Sequence, residues 1–106
     1  MNKTYSPVIM DMVDETVRLC DPCSIYLVSE KKDKQGGTAS FKLCIVIPGC
    51  GEPEAVETRL LLQTDCPVPC DFIVYSLEDW NDLAEDDCSF AYRVENGGDL
   101  IYVKRQ

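Results

Sequence analysis

The stretch SFKLCIVIP, residues 40–48, decides how the chain is read. It is an apolar run rich in β-branched side chains, entered from a polar loop and stopped by Pro48 and Gly49. That pattern is a buried β-strand. Strand side chains alternate between faces, so Ser40 and Lys42 share one face at the open end of the run. A hydroxyl and an ammonium side by side there need an explanation.

Upstream, SIYLVS (residues 24–29) reads as a shorter strand. EKKDKQGGT (30–38) reads as a charged, glycine-containing loop of hairpin length, so the two strands should be antiparallel. Before them, Ser6-Pro7 looks like an N-cap with proline at the first helical position. The helix should run to about Leu19. Ile9, Val13 and Val17 form its apolar stripe, and Val8 and Met12, with Glu15 or Thr16, continue a second face.

Downstream, PGCGEP (48–53) is a turn, and Pro53 opens a second helix to about Gln63. Val56, Leu60 and Gln63 share one of its faces, with Leu61 beside them. DFIVYS (71–76) is a third strand. A helical connection makes it parallel to the second, with a right-handed crossover. Ser76-Leu-Glu-Asp79 resembles a capping box and opens a third helix to Ala84. SFAYRVE is a further short helix, stopped by Asn96-Gly97-Gly98, and DLIYV (99–103) is a last strand. The order predicts an α/β (α+β) fold, a small mixed sheet flanked by helices. Residues 1–106 form one domain, with a helix and loop over 1–23 and the sheet and its helices over 24–104.

Composition narrows the function classes. The formal charge is −9 and there is no histidine. An acidic surface repels phosphate backbones, which argues against nucleic acid. Without histidine, catalysis would fall to carboxylates, lysines, hydroxyls or thiols. No stretch is long and apolar enough to cross a bilayer. The first fifteen residues make a poor signal peptide, so a cytoplasmic protein is expected. The seven cysteines, an odd number, are read as free thiols, with Cys44 a small core residue.

Residues 70–104, CDFIVYSLEDWNDLAEDDCSFAYRVENGGDLIYVK, closely resemble the C-terminal half of minimal nucleotidyltransferases of the DNA-polymerase-β-like superfamily. The shared pattern is a strand starting with Asp71, a helix capped by Ser76 around Trp80 and Leu83, then Phe90, Tyr92 and GGDLIY. SIYLVS and SFKLCIVIP resemble the family's first and second strands. The resemblance covers residues 24–104 and is weakest over 30–38 and the second helix. It implies a nucleotidyltransferase-like fold. It also implies a site built from a Gly-Ser pair that cradles phosphates and an Asp-x-Asp pair that holds divalent metal with a third aspartate.

At the matching positions most of that chemistry is gone. The Gly-Ser pair falls on Ser29 and Glu30, and the Asp-x-Asp pair falls on Ser40 and Lys42. Asp71 alone remains. One carboxylate beside an ammonium is a poor divalent site. The expectation is a catalytically inactive member, a pseudoenzyme with no catalytic residue, metal ligand or cofactor assigned, in which Lys42 faces Asp71 and replaces the metal electrostatically. The role that follows is an interaction module with a protein partner or through self-association, and NTP binding is disfavoured. The resemblance implies an antitoxin-like form of this role, beside a helical HEPN-like protein. Two alternatives stand: an active Mg/NTP-dependent enzyme with carboxylates relocated to Glu30, Asp33 and Asp71, and a non-catalytic nucleotide-binding regulatory domain.

Other motifs have plainer readings. EKKDKQGG lacks the P-loop pattern and leads into no helix, so a solvated hairpin is preferred. Cys20-Asp-Pro-Cys23 and Cys66-Pro-Val-Pro-Cys70 have zinc-like spacing. The predicted topology, however, puts Cys23 and Cys70 at opposite ends of the sheet. A cluster of Cys20, Cys23 and Cys50 is the remaining option. Trp80, Phe90 and Tyr92 are read as packing residues, with a partner-binding patch as the alternative. The acidic run LEDWNDLAEDD is read as a solvated helix face.

Overall fold

The computed structural model describes residues 5–49 and 52–104. The elements are α1 (Pro7–Cys20), β1 (Ser24–Lys32), β2 (Thr38–Ile47), α2 (Pro53–Gln63), β3 (Cys70–Ser76), α3 (Leu77–Ala84), α4 (Phe90–Gly97) and β4 (Asp99–Val103). They form a mixed four-stranded sheet, in the order β3-β2-β1-β4. β1 is antiparallel to both β2 and β4, and β2 is parallel to β3. The fold is therefore mixed α/β, as the element order predicts. No helix among the described residues is long and apolar enough to cross a membrane.

β2 is central because both of its faces are apolar: Leu43, Cys44, Ile45 and Val46 are all fully buried. Its odd positions, with Ile25, Leu27, Phe72 and Val74, pack under Ile9, Met12 and Val13 of α1 and Leu60 of α2. On the opposite face Tyr26, Cys44 and Val46 pack against Trp80 of α3 and Ala91 and Val94 of α4. A strand buried on both sides reads as a continuous apolar run, which is why residues 41–47 lack the alternation of a half-exposed strand.

Four local expectations change. β1 continues three residues beyond Ser29, because the hairpin is closed tightly by Asp33 rather than by a long loop. Asp33 Oδ1 accepts from the amides of Gln35 (2.9 Å) and Gly37 (2.8 Å), and Gly36 takes φ +86°. That positive φ suits glycine. In α1 the two expected faces merge into one buried stripe of Ile9, Met12, Val13 and Thr16. The Thr16 hydroxyl donates to the Met12 carbonyl at 2.7 Å, which satisfies it in the core. The helix ends one residue later than expected, at Cys20, where Asp21 adopts the left-handed conformation and its amide donates to Val17 O. In α2 only Leu60 is buried; Gln63, Leu61 and Leu62 are exposed. The middle of the 48–53 turn and residues 1–4 lie outside the described residues.

The helix starts differ in how they are capped. Ser6 makes no side-chain cap bond; its Oγ lies 2.7 Å from Thr38 Oγ1, tying α1 to the hairpin. Ser76 and Ser89 do cap α3 and α4, accepting from the amides of Asp79 (3.2 Å) and Tyr92 (3.0 Å). Ser76→Ala should therefore cost about 1 kcal/mol in urea unfolding. A loss of only a few tenths would mean that the cap adds nothing beyond what water supplies. α4 ends at Gly97, and the next position needs glycine for a steric reason: a Cβ on Gly98 would sit 2.6 Å from the Val94 carbonyl oxygen.

Candidate functional site

The parity of the strands builds a polar row across the sheet. Ser29 on β1 is in register with Lys42 on β2, and Lys42 is in register with Asp71 on β3. A bulge at Val28 carries Ser29 onto the face shared by Cys44, Val46 and Tyr75. One step further out, Ser40 is in register with Lys31. α3 and α4 cover the other half of this face, so the row lies at their border, where β2 and β3 begin. Lys42 and Ser40 are half-buried; Ser29 and Asp71 are exposed. Four of the five expected positions thus lie on one face.

Glu30 is the exception. It is in register with Phe41 and so belongs to the opposite face, where its carboxylate accepts from Thr38 Oγ1 at 2.6 Å. Strand alternation separates it from Ser29, so the two cannot act as a paired phosphate cradle. Asp33 is committed to the hairpin turn. Glu30, Asp33 and Asp71 therefore do not converge, and among the described residues the one group of three metal-ligating side chains is the exposed Asp86, Asp87 and Cys88. The residues at the polar row do not fit a divalent ion: they bring one carboxylate, two hydroxyls and two ammonium groups.

Lys42 and Asp71 are register partners on one face, but they form no direct ion pair. The ion pairs among the described residues are Arg18–Glu15 and Lys104–Asp21, the latter at 2.8 Å. The placement of Lys42 and Asp71 is one of strand register alone.

The thiols divide along the sheet. The amide of Cys23 donates to Val46 O at one end of β2, and Cys70 is in register with Phe41 at the other. Positions 41 and 46 are five residues apart, about 16 Å at the usual strand rise. Cys20-Cys23 and Cys66-Cys70 therefore cannot share a coordination shell. Cys50, and with it the Cys20, Cys23 and Cys50 cluster, lies outside the described residues. Burial pushes the Cys44 thiol up to about 12. Cys70 is also pushed up to about 12, by burial first and then by the neighbouring Cys66 and Asp71.

Trp80 is buried and stacks on Tyr26 (centroids 5.4 Å apart, 28°) and meets Tyr75 at 5.3 Å. Phe90 stacks on Tyr75 at 6.3 Å. These rings pack α3 and α4 onto the sheet, whereas Tyr92 is exposed. Two features escape a reading by sequence alone. Lys31 joins the polar row because β1 extends past Ser29 and bulges at Val28; parity counted from Tyr26 without the bulge puts it on the opposite face. The groove between α3 and β4, lined by Tyr26, Leu77, Trp80, Leu100 and Val103, has no local sequence signal. No family model matches the chain, and no curated protein or solved structure matches it either.

Proposed function

We propose that the chain is a catalytically inactive nucleotidyltransferase-like domain that acts through protein contacts. The observation that supports this most is the row Ser29, Lys42 and Asp71, in which a single carboxylate stands in register with an ammonium. Holding a divalent ion and a triphosphate together takes several converging oxygen ligands, and here the other candidate carboxylates lie on the far face or in the hairpin turn. An ammonium on the same face as Asp71 also disfavours a divalent ion there. The form of the role implied by the family resemblance is that of an antitoxin-type partner to a helical HEPN-like protein.

Calorimetric titration of the full chain with ATP and magnesium tests the inactive reading. The expected result is no saturable heat; transfer of nucleotide from labelled ATP to protein or RNA overturns it. A gain-of-function arm tests the inherited geometry. The double variant Ser40→Asp, Lys42→Asp places two carboxylates on the face of Asp71. It should bind manganese where the unaltered chain does not, as read by electron paramagnetic resonance. If it binds none, the row is an ordinary polar strand end.

A further inference from the structure

Cys66 and Cys70 enclose Pro67-Val68-Pro69, the segment that leads from α2 into β3. Both ends of this connection are fixed. At the α2 end the Thr64 amide donates to Leu60 O at 3.1 Å, and the Thr64 hydroxyl donates to the same oxygen. At the β3 end the Phe41 amide donates to Pro69 O at 3.2 Å. Pro67 and Pro69 fix their own φ, and the chain bends at Pro67 and Val68. The bend turns Cys66 back toward Cys70, and the two side chains meet as hydrogen-bonding partners. Cys66, Val68 and Cys70 pack against the side of the core covered by α1 and α2, whereas Asp65, Pro67 and Pro69 are exposed.

Cys44 is fully buried and Cys88 is exposed. Cys66 and Cys70 are half-buried: they touch each other and remain open to a small molecule. Against an apolar core, a pair of neutral thiols and a disulfide are both tolerated, and a thiolate is not. Burial, with Cys66 and Asp71 adding to it, holds the proton on Cys70. The pair therefore suits thiol–disulfide chemistry better than a divalent cation, which would need both sulfurs ionised.

We propose that Cys66 and Cys70 form a reversible disulfide, made by exchange with a small-molecule disulfide, that locks the connection between α2 and β3. One protein thiolate attacks a sulfur of the small disulfide; a mixed disulfide forms and one small thiolate leaves. The second protein thiolate then attacks the protein sulfur of that bond and releases the other half. Two protein thiols are oxidised, and one small disulfide is reduced to two thiols, which take up the two protons. The exchange passes through a thiolate that burial opposes, so it is slow at neutral pH and quickens as pH rises. Asp65 and Pro67 of the same connection line a groove of about 770 Å³ with Val8, Asp11 and Met12 of α1, and the bond fixes that wall of the groove. The proposal is independent of what the polar row binds.

Equilibration of the full chain in mildly alkaline buffers of reduced and oxidised glutathione tests it. The samples are quenched in acid, alkylated and mapped by mass spectrometry, with fragmentation that separates positions 66, 70 and 88. The expected result is a bond joining Cys66 to Cys70, with the loss of two hydrogens, and Cys44 and Cys88 joined to neither. Cys66→Ser should abolish the bond and Cys88→Ser should leave it. The equilibrium constant for its formation should be about tenfold or more larger in the folded chain than in urea, because folding holds the two thiols together. By linkage the oxidised chain should then unfold at higher urea than the reduced one. The mapping and the comparison in urea use the unaltered chain, so neither depends on a variant folding. Mixed disulfides with glutathione that never close to a 66–70 bond overturn the proposal. So does a bond from either cysteine to another position, or an equilibrium constant no larger in the folded chain than in urea.

Discussion

Trp80→Ala lowers the stability of the folded chain by about 3–5 kcal/mol. Trp80 is 3% exposed and fills the space between α3 and the sheet, in contact with the rings of Tyr26 and Tyr75. Its loss removes burial, leaves a cavity and breaks two aromatic contacts, each contributing about 0.5–1.5 kcal/mol beyond burial. A domain of this size has a total stability of about 5–15 kcal/mol. The substitution should therefore lower the urea midpoint sharply and the melting temperature by more than about 10 °C. Leu83→Ala, at a position 39% exposed on the same helix, is the control and should stay within about 0.5 kcal/mol. If Trp80→Ala costs less than about 1 kcal/mol, α3 and α4 do not fold as one unit with the sheet, and the burial argument for this face fails.

The second large effect is alkaline. Cys44 is fully buried and its thiol is pushed up to about 12; Cys70 is pushed to about 12 as well. An unfolded thiol loses its proton near 9.0. The folded chain therefore holds these protons where the unfolded chain has released them. The thiols' contribution to stability is complete below about pH 9 and is lost as pH rises toward 12, by up to about 1.4 kcal/mol per pH unit for each thiol fully out of water. Cys70 is partly exposed, so it contributes less. Burial raises Tyr26 and Tyr75 too, which adds to the loss at the alkaline end. Urea midpoints measured under reductant at about one-unit steps above neutrality should show this decline. Cys44→Ala should start less stable and decline less steeply. An identical slope in Cys44→Ala would mean that the burial of this thiol is not what links stability to pH.

The polar row shows how far side-chain placement follows from local pattern. Ser40 and Lys42 could be assigned to one face from residues 40–48 alone, because alternation within a strand is a property of the backbone. Asp71 joins them once the helical connection makes β2 and β3 parallel. Glu30 does not, and Lys31 does. Both outcomes depend on the bulge at Val28 and on how tightly Asp33 turns the hairpin. The resemblance that matched Ser29 and Glu30 as a pair is a match of positions along the chain, and a strand sends neighbouring positions to opposite faces.

What the amino-acid order determined by itself is the set of elements and the central place of β2. Apolar periodicity, Pro7 and Pro53 at helix starts, Ser76 as a cap and glycine at the end of α4 are all local signals, each acting within a few residues. Tertiary structure alone decided that Thr16 joins the buried stripe of α1, that β4 pairs with β1 at one side of the sheet, and that Leu61 and Leu62 stay in water. Those outcomes depend on which surfaces meet across long sequence separations. The free energy of such contacts is set by the area removed from water when the elements pack, and no single segment carries that quantity.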